Sequence, residues 1–251
     1  MIFHYLKSIQ KQIYQLQSGQ AQPHVYPKDI ERIKIPVPPL DVQQKIITEI
    51  EAIEAKEAKA KKVIEEKRQN IDELFFSPSQ DSQKTTLGEV CNLKAGQFVK
   101  AADIKDNFSF NLFPCYGGNG LRGYTETFTH EGTYPLVGRQ GALCGNVHLV
   151  NGKFHATEHA LVATPKGGVN VIWLYHLLRT MNLNQYARGV AQPGLSVKYL
   201  NLITVQLLPL KQQEEVVKKI QKLENEIQSQ EQAIANTEEE KKAILTKYLQ
   251  K

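Results

Sequence analysis

Pro39-Leu40-Asp41-Val42-Gln43-Gln44-Lys45-Ile46-Ile47-Thr48-Glu49-Ile50 opens a long Glu/Lys/Ala-rich run, and the chain opens a second one 170 residues later. That second start reads Pro209-Leu210-Lys211-Gln212-Gln213-Glu214-Glu215-Val216-Val217-Lys218-Lys219-Ile220. Working outward at the same offset, Ile30, Ile33 and Ile35 fall on Leu200, Ile203 and Val205, and Ile53 falls on Leu223. Gly19-Gln20-Ala21-Gln22-Pro23 falls on Gly189-Val190-Ala191-Gln192-Pro193, and Phe3-x-Tyr5 on Trp173-x-Tyr175. The register holds for about 75 residues without a gap, too long a match for chance. The chain is therefore read as one complete unit preceded by the tail of another.

Each unit runs in one order. A short amphipathic helix (2–16; 172–186) is broken at a Gly…Gln-Pro loop, because proline removes a donor and restricts its neighbour. An Ile/Val-rich strand follows and ends at prolines (33–39; 203–209), and then the long helix begins. In the first long helix Ile46, Ile50, Ile53, Glu57, Ala60, Ile64, Lys67, Ile71 and Leu74 recur at alternating steps of three and four. In the second, the stripe is Val216, Ile220, Leu223, Ile227, Gln230, Ile234, Thr237, Lys241, Ile244 and Tyr248. At 1.5 Å per residue, roughly 30 residues make helices of about 45 Å. Two unrelated surface helices would also be amphipathic, but a shared length and register favour mutual pairing. Equivalent units in one chain are most simply related by a pseudo-twofold axis, so the pair is expected to be antiparallel. The polar members Glu57, Lys67, Gln230 and Lys241 weaken the seam and can set its register.

Between the runs the composition changes. Residues 84–207 are rich in glycine, aromatic and β-branched residues. Turn signals recur at Tyr116-Gly117-Gly118-Asn119-Gly120, His130-Glu131-Gly132, Asn151-Gly152 and Lys166-Gly167-Gly168, with strand-like runs at 134–137, 147–150 and 160–163. Net charge is +5, and all of it lies here: 11 Lys/Arg against 6 Asp/Glu, whereas 1–83 holds 12 of each and 208–251 holds 8 of each. A basic middle between neutral flanks suits a polyanion. No apolar run reaches the roughly 18–20 residues of a membrane span, and the start lacks a basic region followed by a cleavage site. The expected location is the cytoplasm, without membrane contact. Cys91, Cys115 and Cys144 form no C-x-x-C pair and are read as free thiols in a reducing compartment.

Two motifs imitate catalysis. Gly118-Asn119-Gly120-Leu121-Arg122-Gly123 has G-x-G-x-x-G spacing, but a dinucleotide loop needs a helix after it, and Tyr124-Thr125-Glu126-Thr127 favours strand. His155-Ala156-Thr157-Glu158-His159 has H-x-x-E-H spacing, which holds zinc only on a helical face, and these residues run into the strand-like 160–164. There is no Walker loop, no Asn-Pro-Pro-aromatic motif and no nuclease-like carboxylate cluster. The reading assigns no catalytic residue, no metal and no cofactor, and leaves binding. The candidate nucleic-acid contacts are Asn119, Arg122, Tyr124, Arg139, Gln140, Asn146 and His148. They sit in turn-rich segments, where Arg suits guanine and Asn or Gln suits adenine.

The stretches Tyr116–Tyr124, Gly138–Val147 and Ala156–Ala160, with the loop Ala191–Ser196 and the turn Leu208-Pro209-Leu210-x-x-Gln213, resemble the specificity subunit of type I restriction–modification enzymes over the whole chain. The resemblance implies an α+β fold: one β-rich globular target recognition domain plus two long helices pairing as an antiparallel coiled coil. Its divisions are a remnant of a first recognition domain (1–39), a first spacer helix (40–77), a linker (78–83), the recognition domain (84–207) and a second spacer helix (208–251). It implies a non-catalytic subunit that reads a half-site in double-stranded DNA and docks methylation subunits on its coil. Restriction subunits would join through the complex, and catalysis would belong to the partners. Family members run domain, spacer, domain, spacer, so this chain is expected to be a half-length form. An apolar stripe of Ile2, Phe3, Leu6, Ile9 and Ile13 points to self-association as a homodimer. The rival class is a structural or adaptor coiled-coil protein whose middle domain binds another protein, or an inactive remnant.

Overall fold

The computed structural model describes residues 1–18, 23–76, 81–141, 143–189 and 193–249. The chain begins with α1 (Ile2–Ser8), α2 (Gln10–Gln15) and a single turn α3 (Pro27–Ile30), then the long α4 (Leu40–Phe76). Next come β1 (Gln83–Thr86), α5 (Leu87–Val90), β2 (Cys91–Ala95), β3 (Phe113–Gly117), β4 (Gly120–Thr125), β5 (His130–Gly138), β6 (Val147–Ala156) and β7 (Ala160–Pro165). The chain closes with α6 (Val171–Thr180), α7 (Val197–Leu200), β8 (Thr204–Leu207), α8 (Leu210–Ile234) and α9 (Thr237–Leu249). It divides into two compact units, residues 70–222 and residues 1–69 with 223–251. Among the described residues no helix is long and apolar enough to cross a membrane.

In the unit of residues 70–222, six strands form a sheet in the order β2-β7-β5-β6-β3-β4, antiparallel throughout except where β3 runs parallel to β6. A separate pair, β1 with β8, joins the two ends of the domain, with Gln83 opposite Leu207 and Thr86 opposite Thr204. Strand structure thus starts at Gln83, inside the stretch expected to be linker. The rest of that linker from 78 to 80 lies outside the described residues. α6 lays Trp173, Leu174, Leu177 and Leu178 on a core containing Leu87, Val90, Leu93, Val137 and Leu161. Asn170 caps this helix, its side-chain oxygen accepting from the backbone N–H groups of Ile172 and Trp173.

The helix expected over 172–186 ends earlier, at Thr180. Asn182 then takes a left-handed turn and Leu183–Tyr186 form a short 3-10 segment. Asn accepts that backbone more readily than most residues with a side chain.

In the other unit, α4 pairs antiparallel with the end of α8 and with α9. Glu49 meets Lys247 and Tyr248, Glu57 meets Lys241, Lys67 meets Glu226 and Arg68 meets Glu231, so positions rise along one side as they fall along the other. Ile46, Ile50 and Leu245 form its core, with Val42, Ile244 and Tyr248 beside them. Every expected stripe position on α4 is buried or half-buried, including Glu57 and Lys67. The second long helix is not continuous. It breaks at Ala235-Asn236, and Leu245 takes the most buried place expected of Ile244.

The repeat is visible in the backbone. The bridge between Ser18 and His24 is copied by Arg188 and Gly194, and α3 is copied by α7. The Gln43 amide donates to the Pro38 carbonyl at 2.8 Å, and the Gln213 amide to the Leu208 carbonyl at 2.8 Å. The Gly…Gln-Pro loops themselves, 19–22 and 190–192, lie outside the described residues. The two copies differ in cover. Trp173 is 1% exposed and its counterpart Phe3 70%; Leu200 is 1% exposed and Ile30 46%. The expected strand over 33–39 does not form, whereas its counterpart is β8, because β8 has β1 to pair with and no described strand pairs with 33–39.

Candidate nucleic-acid interface

Four connections of the β-rich unit meet at one place. The β3–β4 turn carries Asn119, the β5–β6 loop carries Arg139 and Gln140, the β6–β7 turn is Thr157-Glu158-His159, and the loop around Gly194 closes the group. Backbone bonds hold them together. The Arg139 N–H donates to the His159 carbonyl and the Leu195 N–H to the Arg139 carbonyl, both at 2.9 Å. The Thr157 N–H donates to Tyr116 at 2.8 Å, and Gly141 to Pro193 at 3.0 Å. The approach is close enough to require glycine: a side chain on Gly138 would run into the Gly118 carbonyl. This is why the stretch reads Tyr116-Gly117-Gly118 and Val137-Gly138.

The G-x-G-x-x-G spacing is therefore a β-hairpin turn between β3 and β4, with no helix behind it. A bulge falls here, since Cys115 faces Gly123 and Tyr116 faces Leu121, leaving Arg122 as the extra residue. Bulges re-aim side chains, and the Arg122 stem lies next to Gly117. The H-x-x-E-H residues divide between a strand and a turn. The His155 ring lies in β6 within hydrogen-bond distance of Thr127 and the Gln97 carbonyl, while His159 stands between Gln140 (3.1 Å) and Glu158 (3.3 Å).

The structure brings Asn119, Arg122, Arg139 and Gln140 to this cluster. Asn146 and His148 border a neighbouring cavity of about 260 Å³, shared with Gly145, Val147, Arg179, Asn182 and Asn184. The His148 ring also lies against Gly120, which ties the cavity to the β3–β4 turn. Tyr124 turns elsewhere: its backbone exchanges two 2.8 Å bonds with Lys105, and its ring meets Phe108 edge-on. Sequence reasoning missed Glu158, His159, Arg179, Asn182 and Asn184. The first two stood in the sequence within an H-x-x-E-H spacing and in the resembling stretch 156–160, but not as contacts. Arg179 lies in the last turn of α6, and Asn182 and Asn184 lie past the end of a helix expected to continue.

Charge in the cluster is of both signs. Burial is the main cause that raises the Cys115 thiol pKa, with the nearby Arg122 lowering it and Glu158 raising it, so both charges reach this buried strand. Burial also pushes Cys91 up to about 12 and raises Cys144, so these cysteines are poor nucleophiles. Three buried polar atoms here have no partner among the described residues: His148 Nε2, Thr157 Oγ1 and Glu158 Oε2. Such atoms concentrate where water or a ligand completes the pairing.

Among known proteins, a specificity subunit of the EcoprrI type I restriction enzyme from Escherichia coli is 47% identical over 124 residues, 49% of this chain and 31% of that protein. A Haemophilus influenzae protein named as a type I restriction enzyme specificity subunit is 33% identical over 108 residues, 42% of this chain and 28% of its own length. The matched stretch is thus under a third of either relative. The S subunit structure from M. genitalium shares the fold with a TM-score of 0.63 at 19% identity, covering 99% of this chain and 71% of that one. The HsdS subunit from Thermoanaerobacter tengcongensis does so at 0.56 and 20%, covering 99% and 69%. The family described as Type I restriction modification DNA specificity domain matches residues 1–66 and 79–238, and with nearly the whole chain matched, the protein belongs to that family.

Proposed function

We propose that the chain is a non-catalytic DNA-reading specificity subunit of a type I restriction–modification system. Residues 84–207 would be its target recognition domain, 40–77 and 208–251 its spacers, and 1–39 the remnant of a first recognition domain. Asn119, Arg122, Arg139, Gln140, Asn146 and His148 would contact one half-site in duplex DNA, while Tyr124, engaged with Lys105 and Phe108, stands apart from them. Methylation subunits would dock on the coiled coil, restriction subunits would join through the complex, and all would act in the cytoplasm. The observation that carries this reading is the convergence of four loops that presents Arg139 and Gln140 beside Asn119 and Arg122 on the part of the chain holding the whole positive excess. Arg and Gln are the side chains that pair bidentately with guanine and adenine edges.

The exposed Ile2 and Phe3, with the half-buried Leu6, Ile9 and Ile13, support self-association. A homodimer would supply two recognition domains and read a palindromic site. The test is methylome sequencing of cells that express this chain with its methylation subunit. A defined methylated motif is expected, and a palindromic motif would agree with the dimer. Absence of any motif, together with no salt-dependent shift of duplex DNA by the purified complex, would favour an adaptor role instead.

A further inference from the structure

We propose that Arg188, held over the ring of Tyr199, is a further DNA-binding residue whose guanidinium grips a pair of acceptor atoms on the duplex. This rests on the DNA-reading function proposed above and extends it to a pair that lies outside the candidate contacts.

Backbone hydrogen bonds place Arg188 beside the cluster. Arg188 and Gly194 exchange both of their backbone hydrogen bonds, each at 2.9 Å, and Gly194 in turn bridges to Gln140 on its other side. With Leu195 bonded to Arg139 and Gly141 to Pro193, Arg188 sits one chain over from the Arg139-Gln140 pair. Its guanidinium carbon lies 3.9 Å from the centroid of the Tyr199 ring. Arg188 is exposed, as is Tyr199, and among the described residues no carboxylate pairs with Arg188. Stacking on an aromatic face restricts a guanidinium to a plane and leaves its in-plane N–H donors for a bidentate partner. A cation fixed in this way beside Arg139, with no counter-ion among the described residues, is suited to an anion or a paired acceptor, and not to an apolar protein surface.

The internal repeat supplies a control. The same bridge recurs at Ser18 and His24, and the same helical turn recurs as α3, but Ser18 and Asp29 occupy the places of Arg188 and Tyr199. The framework forms without the stacked pair. The pair is therefore not needed for this bridge and turn, and it occurs only in the copy that carries the reading cluster.

Two features of DNA offer the required paired acceptors: a backbone phosphate, and the O6/N7 edge of guanine. The test measures binding of the full chain with its methylation subunit to a duplex carrying the motif found by methylome sequencing, and to a scrambled duplex. Arg188→Ala is expected to weaken binding about tenfold or more. Arg188→Lys should recover only part, Tyr199→Phe should bind as the parent does, and Tyr199→Ala should lose an intermediate amount. Equal loss on both duplexes, with a salt slope shallower by about one phosphate, assigns the contact to the backbone. Loss confined to the motif duplex assigns it to guanine. If the parent chain binds and Arg139→Ala weakens binding while Arg188→Ala does not, the inference is wrong and the function stands. If the parent chain binds neither duplex, both fail.

Discussion

Gln213 satisfies three backbone groups from a position that is fully buried. Its amide donates to the carbonyls of Gly168 and Leu208, at 3.0 and 2.8 Å, and its oxygen accepts from the Asn170 N–H at 2.8 Å. It thereby fixes the residue that caps α6. Gln213→Ala would strand these groups, at a cost of about 2–3 kcal/mol. Its repeat counterpart Gln43 makes one such bond among the described residues, so Gln43→Ala should cost about 1 kcal/mol or less. Urea unfolding of the two variants checks the difference, and equal losses would contradict it. On the same helix His176 is buried, and burial, with Arg179 adding to it, holds its pKa down to about 4 from 6.5. The unfolded chain therefore binds more protons than the native one between those values, so stability should fall as pH drops from about 6.5 toward 4. His176→Gln should flatten that part of the stability curve; a curve of unchanged slope would show that other groups set it.

At the scale of elements, the coiled coil holds a buried charged node at Lys241. Lys241 is 8% exposed and bonds Glu57 at 3.0 Å and Glu238 at 3.2 Å. Burial opposes its charge, but the two carboxylates more than offset this and raise its pKa, while hydrogen bonds from Lys61 and Lys241 hold Glu57 at about 2. A depressed carboxylate pKa contributes stability that is present above about 4.5 and lost as pH falls toward 2. Glu57→Ala leaves Lys241 buried with less compensation and should cost about 2 kcal/mol, whereas Lys241→Met should be near neutral or stabilising but admit other registers. Thermal melts give the first comparison, and disulfide trapping between cysteines introduced at positions 49 and 248 reports the register. This pairing was legible in the sequence: Glu57 and Lys241 stood out as polar members of apolar stripes. The break at Ala235-Asn236 was not, because a three-four spacing continues across it as Ile234, Thr237 and Lys241. The missing strand over 33–39 was not legible either, since strand structure depends on a partner that local sequence does not describe. The candidate contacts stood in turn-rich sequence, but Arg122 and Tyr124 lie in β4 and His148 in β6. Their gathering was not legible, because it depends on Gly118 and Gly138 letting two loops touch, and sequence spacing does not record which loops meet.

For the whole molecule, the decisive property is that charge and repeat are distributed differently. The long helices occur twice and lie in the charge-neutral flanks 1–83 and 208–251, whereas the basic segment 84–207 occurs once. A single reading domain engaging DNA should release the counterions of few phosphates, and two domains held on one paired scaffold should release about twice as many. The self-association proposed above can therefore be read from binding itself. The logarithm of affinity for a duplex carrying two inverted copies of the motif should fall with the logarithm of salt concentration at nearly twice the slope found for a single copy. Light scattering at micromolar concentration should give the mass of two chains. Phe3, 70% exposed where its counterpart Trp173 is buried in the core, is the position at which to break the dimer. Phe3→Asp should return the mass to one chain and the slope to its single-copy value, with little change in stability, because an exposed side chain has little packing to lose. A single-chain mass for the parent protein would rule out the dimer and leave one domain reading one half-site.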